Sequence, residues 1–126
     1  MTPEAKEHLD KARHCLNRAR TILAGVGEDA GRNAYLAAFH AAQALIAERT
    51  GKDAKTHKGV HAQFARLTRN EPRLGLELRQ FLAQAYDIKS IADYGLGPDT
   101  DVPLDRARAA IDTAEQFVDR VTELLG

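Results

Sequence analysis

The chain has little of what most function classes require. Its 126 residues carry a single cysteine, Cys15, so no disulfide can form within the chain, and no Cys/His cluster has the spacing of a zinc site. Its charge favours neither sign: 18 lysines and arginines face 18 aspartates and glutamates. A global basic excess, the simplest sign of nucleic-acid binding, is therefore missing, and only a local patch remains open. No apolar run approaches the roughly 20 residues that cross a bilayer. The opening stretch, MTPEAKEHLDKARH, is charged from the start, unlike a signal peptide. The expectation is a cytoplasmic chain with no membrane contact, forming one domain over residues 1–126.

β-branched alternation is missing too, and what stands in its place is helical periodicity. Thr2 and Pro3 make a helix start, a cap followed by proline at the first helical position. Ala5, Leu9, Ala12, Leu16, Ala19 and Leu23 then recur at three- and four-residue spacing, widened by Cys15 and Ile22, until Gly25 and Gly27. A second helix is expected from near Asp29 to Arg49, with Gly51 as its stop. It is apolar around most of its circumference, as befits a central helix packed on several sides. The polar loop GKDAKTHKG leads to a short helix capped by Thr56 and carrying Val60, Phe64 and Leu67, ending near Asn70. Pro72 opens the next helix, whose apolar face is Leu74, Leu78, Phe81, Leu82, Ala85, Ile88 and Ala92, with Gly95 after it. The loop GLGPDTDVP precedes a last helix from Pro103 or Leu104, with Ala107, Ala110, Ile111, Ala114, Phe117, Val118, Val121 and Leu125 inward. The fold class is all-α: a bundle of four long helices and one short one.

Three stretches carry polar groups that need an explanation. On the second helix, Asn33 and His40 fall within about 20° of each other, with Gln43 roughly 60° further round. A polar strip on an apolar helix must meet partners on another helix or line a groove. His40 is thus read either as a satisfied interior histidine or as a groove contact; nothing nearby supplies a nucleophile or orienting carboxylate for acid–base work. In THKGVH, His57 and His61 are four apart and would share a helix face. Two histidines make a weak metal site without a third ligand, and a solvated helix start is the plainer reading. With Lys52, Lys55 and Lys58 they form the most basic local patch, suited to phosphate or an acidic partner. In KSIADYG, Asp93 sits at a helix C-terminus, where the macrodipole disfavours it, with Tyr86 and Lys89 on the same stripe. A specific partner or a structural tether would explain such a carboxylate.

Taken in order, NAYLAAFHAAQALI, KTHKGVHAQF and KSIADYG resemble the HEPN-domain proteins. The likeness is to a small stand-alone branch whose signature reads Arg-Ala-Tyr-Tyr-Ala-x-Phe-His-Ala-Ala, then Thr-His-Lys-Gly, then Arg-x-x-Ala-Asp-Tyr. The motifs cover Asn33 to Gly95; the flanking helices match in pattern. The resemblance implies a helical bundle that commonly forms homodimers and that acts beside a small nucleotidyltransferase in toxin–antitoxin pairs. Active members are metal-independent ribonucleases built on an arginine followed after four to six residues by a histidine, at a cleft between the two protomers.

This sequence departs from that pattern. No arginine is followed by histidine at that spacing; Arg32 to His40 and Arg49 to His57 each have seven residues between them. Lys52 to His57 has four, but it begins with lysine in a loop. The signature's first arginine falls on Asn33, its second tyrosine on Leu36, and the arginine before Ala-Asp-Tyr on Lys89, which keeps the charge but loses the bidentate fork. His40 falls on the histidine of the Phe-His-Ala-Ala signature and not on the ribonuclease histidine. The expectation is a catalytically degenerate, homodimeric binding module for a nucleotidyltransferase partner, RNA or a nucleotide, with no cofactor, no metal and no catalytic residue. Its groove would gather Asn33, His40, Lys58, Lys89, Asp93 and Tyr94. The alternatives are a ribonuclease toxin with a site rearranged from Arg32, His40, Lys58, Lys89 and Asp93, and a helical interaction protein without a ligand. The homodimer is also expected because the helices from Asn33 and from Pro72 carry more apolar surface than a five-helix monomer readily covers.

Overall fold

The computed structural model describes residues 1–22, 27–94 and 104–126, with the side chains of 22, 27–29, 88, 90–94 and 104 left out of account. All five elements are helices: α1 (Pro3–Ile22), α2 (Gly27–Thr50), α3 (His57–Thr68), α4 (Leu76–Tyr94) and α5 (Leu104–Leu125). There is no strand among the described residues. The Thr2 hydroxyl accepts from the Ala5 N–H at 3.1 Å, so the expected cap opens α1.

The second helix is the axis of the bundle, and the other four pack on it. Its sequence explains why. Ala30, Ala34, Ala37, Ala38, Ala41, Ala42 and Ala44 are fully buried, and side chains this small let neighbouring backbones approach on every side. Leu45, Ile46 and Tyr35 fill the wider gaps. An alanine here enlarged to leucine would overpack the seam at a cost of about 1–3 kcal/mol. Against this axis α5 lays the face read from its sequence, with Ile111, Ala114, Phe117, Val118 and Val121 at zero exposure. Phe117 stacks on Phe64 from α3, with ring centroids 5.1 Å apart.

Burial answers the question of spare apolar surface. Among the described residues, the exposed large apolar side chains are Met1 and Leu76. The girdle of α2 is covered by the chain's own helices, so the described surface gives no hydrophobic argument for a second copy.

One boundary moved. Pro72 does not open α4; residues 71–75 make turns, with Leu74 N–H bonded to Glu71 O and Arg79 N–H to Gly75 O, and the helix begins at Leu76. Leu74 is nevertheless buried, so the turn delivers it to the core from outside the helix. The start of α3 is better determined. Thr56 is extended, and its hydroxyl accepts from Gly59 N–H at 2.9 Å. A Cβ at Gly59 would sit 2.8 Å from that oxygen, so a side chain there would push the capping hydroxyl from this position. This cap fixes where His57 and His61 point.

Candidate functional site

The site grows from Tyr35, a fully buried residue on α2. A buried phenol needs a hydrogen-bond partner, and the capped start of α3 supplies two. The Tyr35 oxygen lies 2.6 Å from His57 Nδ1 and 3.0 Å from His61 Nε2. The i and i+4 spacing puts both imidazoles on the face of α3 turned to α2. Both histidines are half-buried. From α4, Tyr86 meets Tyr35 edge-on at 5.3 Å and His61 edge-on at 5.5 Å. Lys89 Nζ stands 5.8 Å from the centre of the Tyr86 ring, one turn further along α4, a cation–π arrangement. Phe39 closes the group with its ring 5.0 Å from that of His57.

One hydroxyl proton cannot serve two imidazoles. Tyr35 therefore donates to one histidine and accepts from the other, and the chain of bonds has a direction. A first added proton fits this chain, because the accepting histidine needs only its lone pair. A second would turn both imidazoles into donors and leave the hydroxyl hydrogen without an acceptor. Burial, followed by the neighbouring His57, pushes the His61 pKa below its ordinary value. Burial, followed by Tyr86, holds the Tyr35 phenol above the tyrosine range. The two imidazoles are thus joined through a phenol that keeps its own proton.

The residues expected to line a groove divide between two places. Lys89 joins the Tyr35 cluster. His40 makes its contacts elsewhere, in a chain running from α2 to the loop before α3: the Gln43 amide N–H donates to Ala54 O at 2.8 Å, leaving its oxygen to accept from His40 Nδ1 at 2.8 Å. That chain fixes the amide orientation and the tautomer together. Burial pushes the His40 pKa down, while the Gln43 bond raises it and the charges of Lys11 and His8 lower it further. His8, on α1, holds Asp53 at 2.8 Å. Asn33 is nearly buried on α2, and Lys58 is exposed on α3. Asp93 and Tyr94 end α4, and their side chains lie outside the described residues.

Tyr35, His57, His61 and Tyr86 were not read from sequence as one site. A signal was present. Tyr35 is the one hydroxyl-bearing residue on the alanine-rich stretch Ala34–Ala47, and a pair of histidines four apart is what a buried phenol could bond. Among the described residues, no group of three His, Cys, Asp or Glu could hold a metal ion, and no helix is long and apolar enough to cross a membrane.

Comparison with known proteins gives a relative and a family. The Putative toxin MJ0605 of Methanocaldococcus jannaschii is 34% identical over 98 residues, covering 77% of this chain and 69% of that protein. The model of the HEPN domain matches residues 5–124, which takes in all three motifs and both flanking helices, and the chain belongs to the HEPN-domain family.

Proposed function

We propose that this chain is the HEPN member of a toxin–antitoxin-type pair, a homodimer that binds a nucleotidyltransferase partner and a nucleotide or RNA without cleaving it. The observation that carries the reading is how the imidazoles are used. His40 is tied through Gln43 to the backbone of Ala54, and His57 and His61 are tied to one buried phenol. Cleavage at a 2′-hydroxyl needs a group to take its proton and a cation to meet the charge developing on the phosphate. The arginine-to-histidine spacing that supplies both in active members is missing from this chain. The toxin-named relative supports the pairing with an antitoxin.

A second reading, metal-independent ribonuclease, is favoured by one feature: the two imidazoles joined through Tyr35, with the Lys89 ammonium beside Tyr86. One assay separates the two. Purified protein is incubated with mixed RNA and a chelator, beside His40→Ala and His61→Ala. The expected result is intact RNA in all three. Cleavage by the native protein that vanishes in His61→Ala makes the ribonuclease reading the right one. If the neighbouring reading frame encodes a nucleotidyltransferase, co-expression with it is expected to give a stable complex, and light scattering a dimer of the chain alone.

A further inference from the structure

The net charge of zero hides a polarised molecule. Between Arg49 and Arg79 there are eight lysines and arginines against three carboxylates, a local charge of +5 balanced by −5 in the rest of the chain. Elsewhere several cations are paired: Arg13 holds Asp119 at 2.8 Å, and Arg20 holds both Asp112 and Glu115 across the α1–α5 seam. In the basic segment, Arg73 pairs with Glu71. Lys52, Lys55, Lys58, Arg66 and Arg69 are exposed, and none has a carboxylate partner among the described residues. Asp53, the one carboxylate in the loop before α3, is engaged by His8.

These cations are arranged. On α3, Lys58, Ala62, Ala65 and Arg69 fall within about 40° of one line, with Arg66 roughly 60° to its side. From Lys58 to Arg69 the line runs about 16 Å. The first turn of α3 carries no acidic residue, and Lys55 and Lys58 sit at the helix end where the macrodipole is positive. Cations placed there cost stability in the free protein, and an anion lying along the face would offset that cost. Beside Arg66 opens a cleft of about 360 Å³, lined also by Lys52, Gln63, Thr50 and Asp53, the carboxylate that His8 engages. The Arg66 guanidinium is oriented towards it by two bonds to Gln63 Oε1, at 3.1 and 2.7 Å.

We infer that the outer face of α3, from Lys52 to Arg69, is a binding surface for the phosphodiester backbone of single-stranded nucleic acid. The alternative of an acidic protein fits less well. A protein interface has an apolar or aromatic centre inside its polar rim. Between these cations the exposed side chains are Asp53, already held by His8, Thr56, Ala62 and Ala65, with no large apolar group. A line of charges without a hydrophobic centre suits evenly spaced phosphates, whose binding needs counterion release and little else. The inference rests on the proposed function only in taking a phosphate-bearing polymer as ligand. It places that ligand on α3, outside the Tyr35 cluster.

The test is fluorescence anisotropy with a labelled oligouridylate, across salt, on the full chain. Four contacts would make affinity fall roughly fifty-fold between 50 and 200 mM salt, from a slope of about −0.7 per phosphate contact. The variant Lys55→Gln/Lys58→Gln/Arg66→Gln/Arg69→Gln is expected to bind at least tenfold more weakly at low salt and to lose nearly all salt dependence. All four positions are exposed, and circular dichroism checks that the variant is folded. Lys11→Gln, at an exposed cation on α1, is expected to leave oligouridylate affinity within twofold. Unchanged affinity in the quadruple variant, no binding by the native chain at 50 mM salt, or equal binding of poly-glutamate of the same length would each overturn the inference. Copurification of the nucleotidyltransferase is scored separately, so the proposed function can stand or fall without this surface.

Discussion

Two histidine sites flank Phe39 on the same helix, and they solve the same problem differently. On the side of α1, His40 is held by an amide, and the amide by a backbone carbonyl, so each polar group has one defined partner. On the side of α4, His57 and His61 share a single phenol, so the proton on one constrains the other. The first arrangement ties the loop before α3 to α2. The second couples two titratable groups inside a ring of aromatic side chains. Burial of a histidine on α2 or α3 therefore does not by itself mark a functional group; the identity of its partner does.

The comparison breaks most severely at Tyr35. Truncation to alanine removes both the ring that packs among Phe39, His57 and Tyr86 and the hydroxyl that anchors the imidazoles, and should cost about 3–5 kcal/mol. Tyr35→Phe keeps the ring and isolates the hydroxyl. It leaves two half-buried imidazoles without their shared partner, with an expected loss of about 1–3 kcal/mol. Urea denaturation of the two variants separates packing from hydrogen bonding. A phenylalanine variant as stable as the native chain would mean that water replaces the hydroxyl fully and that the cluster is not coupled.

On the other side, Gln43→Leu removes an amide that is 7% exposed and bonded at both ends. Ala54 O and His40 Nδ1 then lose their partners, and about 1–2 kcal/mol should go with them. The loss is expected below that of Tyr35→Ala because leucine refills the volume. Hydrogen exchange gives a sharper reading: protection should fall in the loop before α3 and not in α4. Equal loosening of both regions would deny that the two sites are separate.

The fold was more legible than this division. Helices α1, α3 and α5 follow from caps and from apolar spacing, since a helix that buries one face must repeat it every three or four residues. The exception at Pro72 has a physical reason: proline is as much at home in a turn as in a first helical position, and three apolar residues after it cannot separate the two. In the site, helical spacing puts Asn33 and His40 on one strip of α2, yet the strip does not say which neighbour it meets. Lys89 was placed beside Tyr86 by helical spacing alone, and the structure brings them together. The His57–Tyr35–His61 chain was hidden because it joins two motifs across space. Each piece was visible; the three-dimensional turn at Ala54 and Thr56 that joins them was not.

Acidification sharpens the comparison in a third way. Both His40 and His61 have pKa values held below the ordinary 6.5 by burial. A group whose pKa is lowered in the folded state binds its proton more readily when unfolded. Stability therefore rises with pH through this range and is lost as pH falls below about 6.5, until the folded-state pKa is passed. The denaturation midpoint should fall between pH 7.5 and pH 5. The fall should be smaller in His61→Gln, which removes one of these groups. An unaltered pH profile in that variant would place the acid sensitivity on His40 or on the carboxylates.

The smallest expected effect belongs to His40→Ala, and its smallness is the point. His40 is half-buried, and its ring contacts the edge of Phe39 without entering the core. Removing it leaves the Gln43–Ala54 bond intact, because that bond uses the other end of the amide. The group left over is the Gln43 oxygen, and the space vacated by the ring gives water a path to it. The cost should then be under about 1 kcal/mol, below the penalty for a sealed, unpaired acceptor. Partner and oligouridylate affinities should not move. If instead either affinity drops tenfold while the melting temperature stays constant, His40 is a contact residue. The strip on α2 would then face a groove on the α1 side, and the two histidine sites would exchange the roles given to them here.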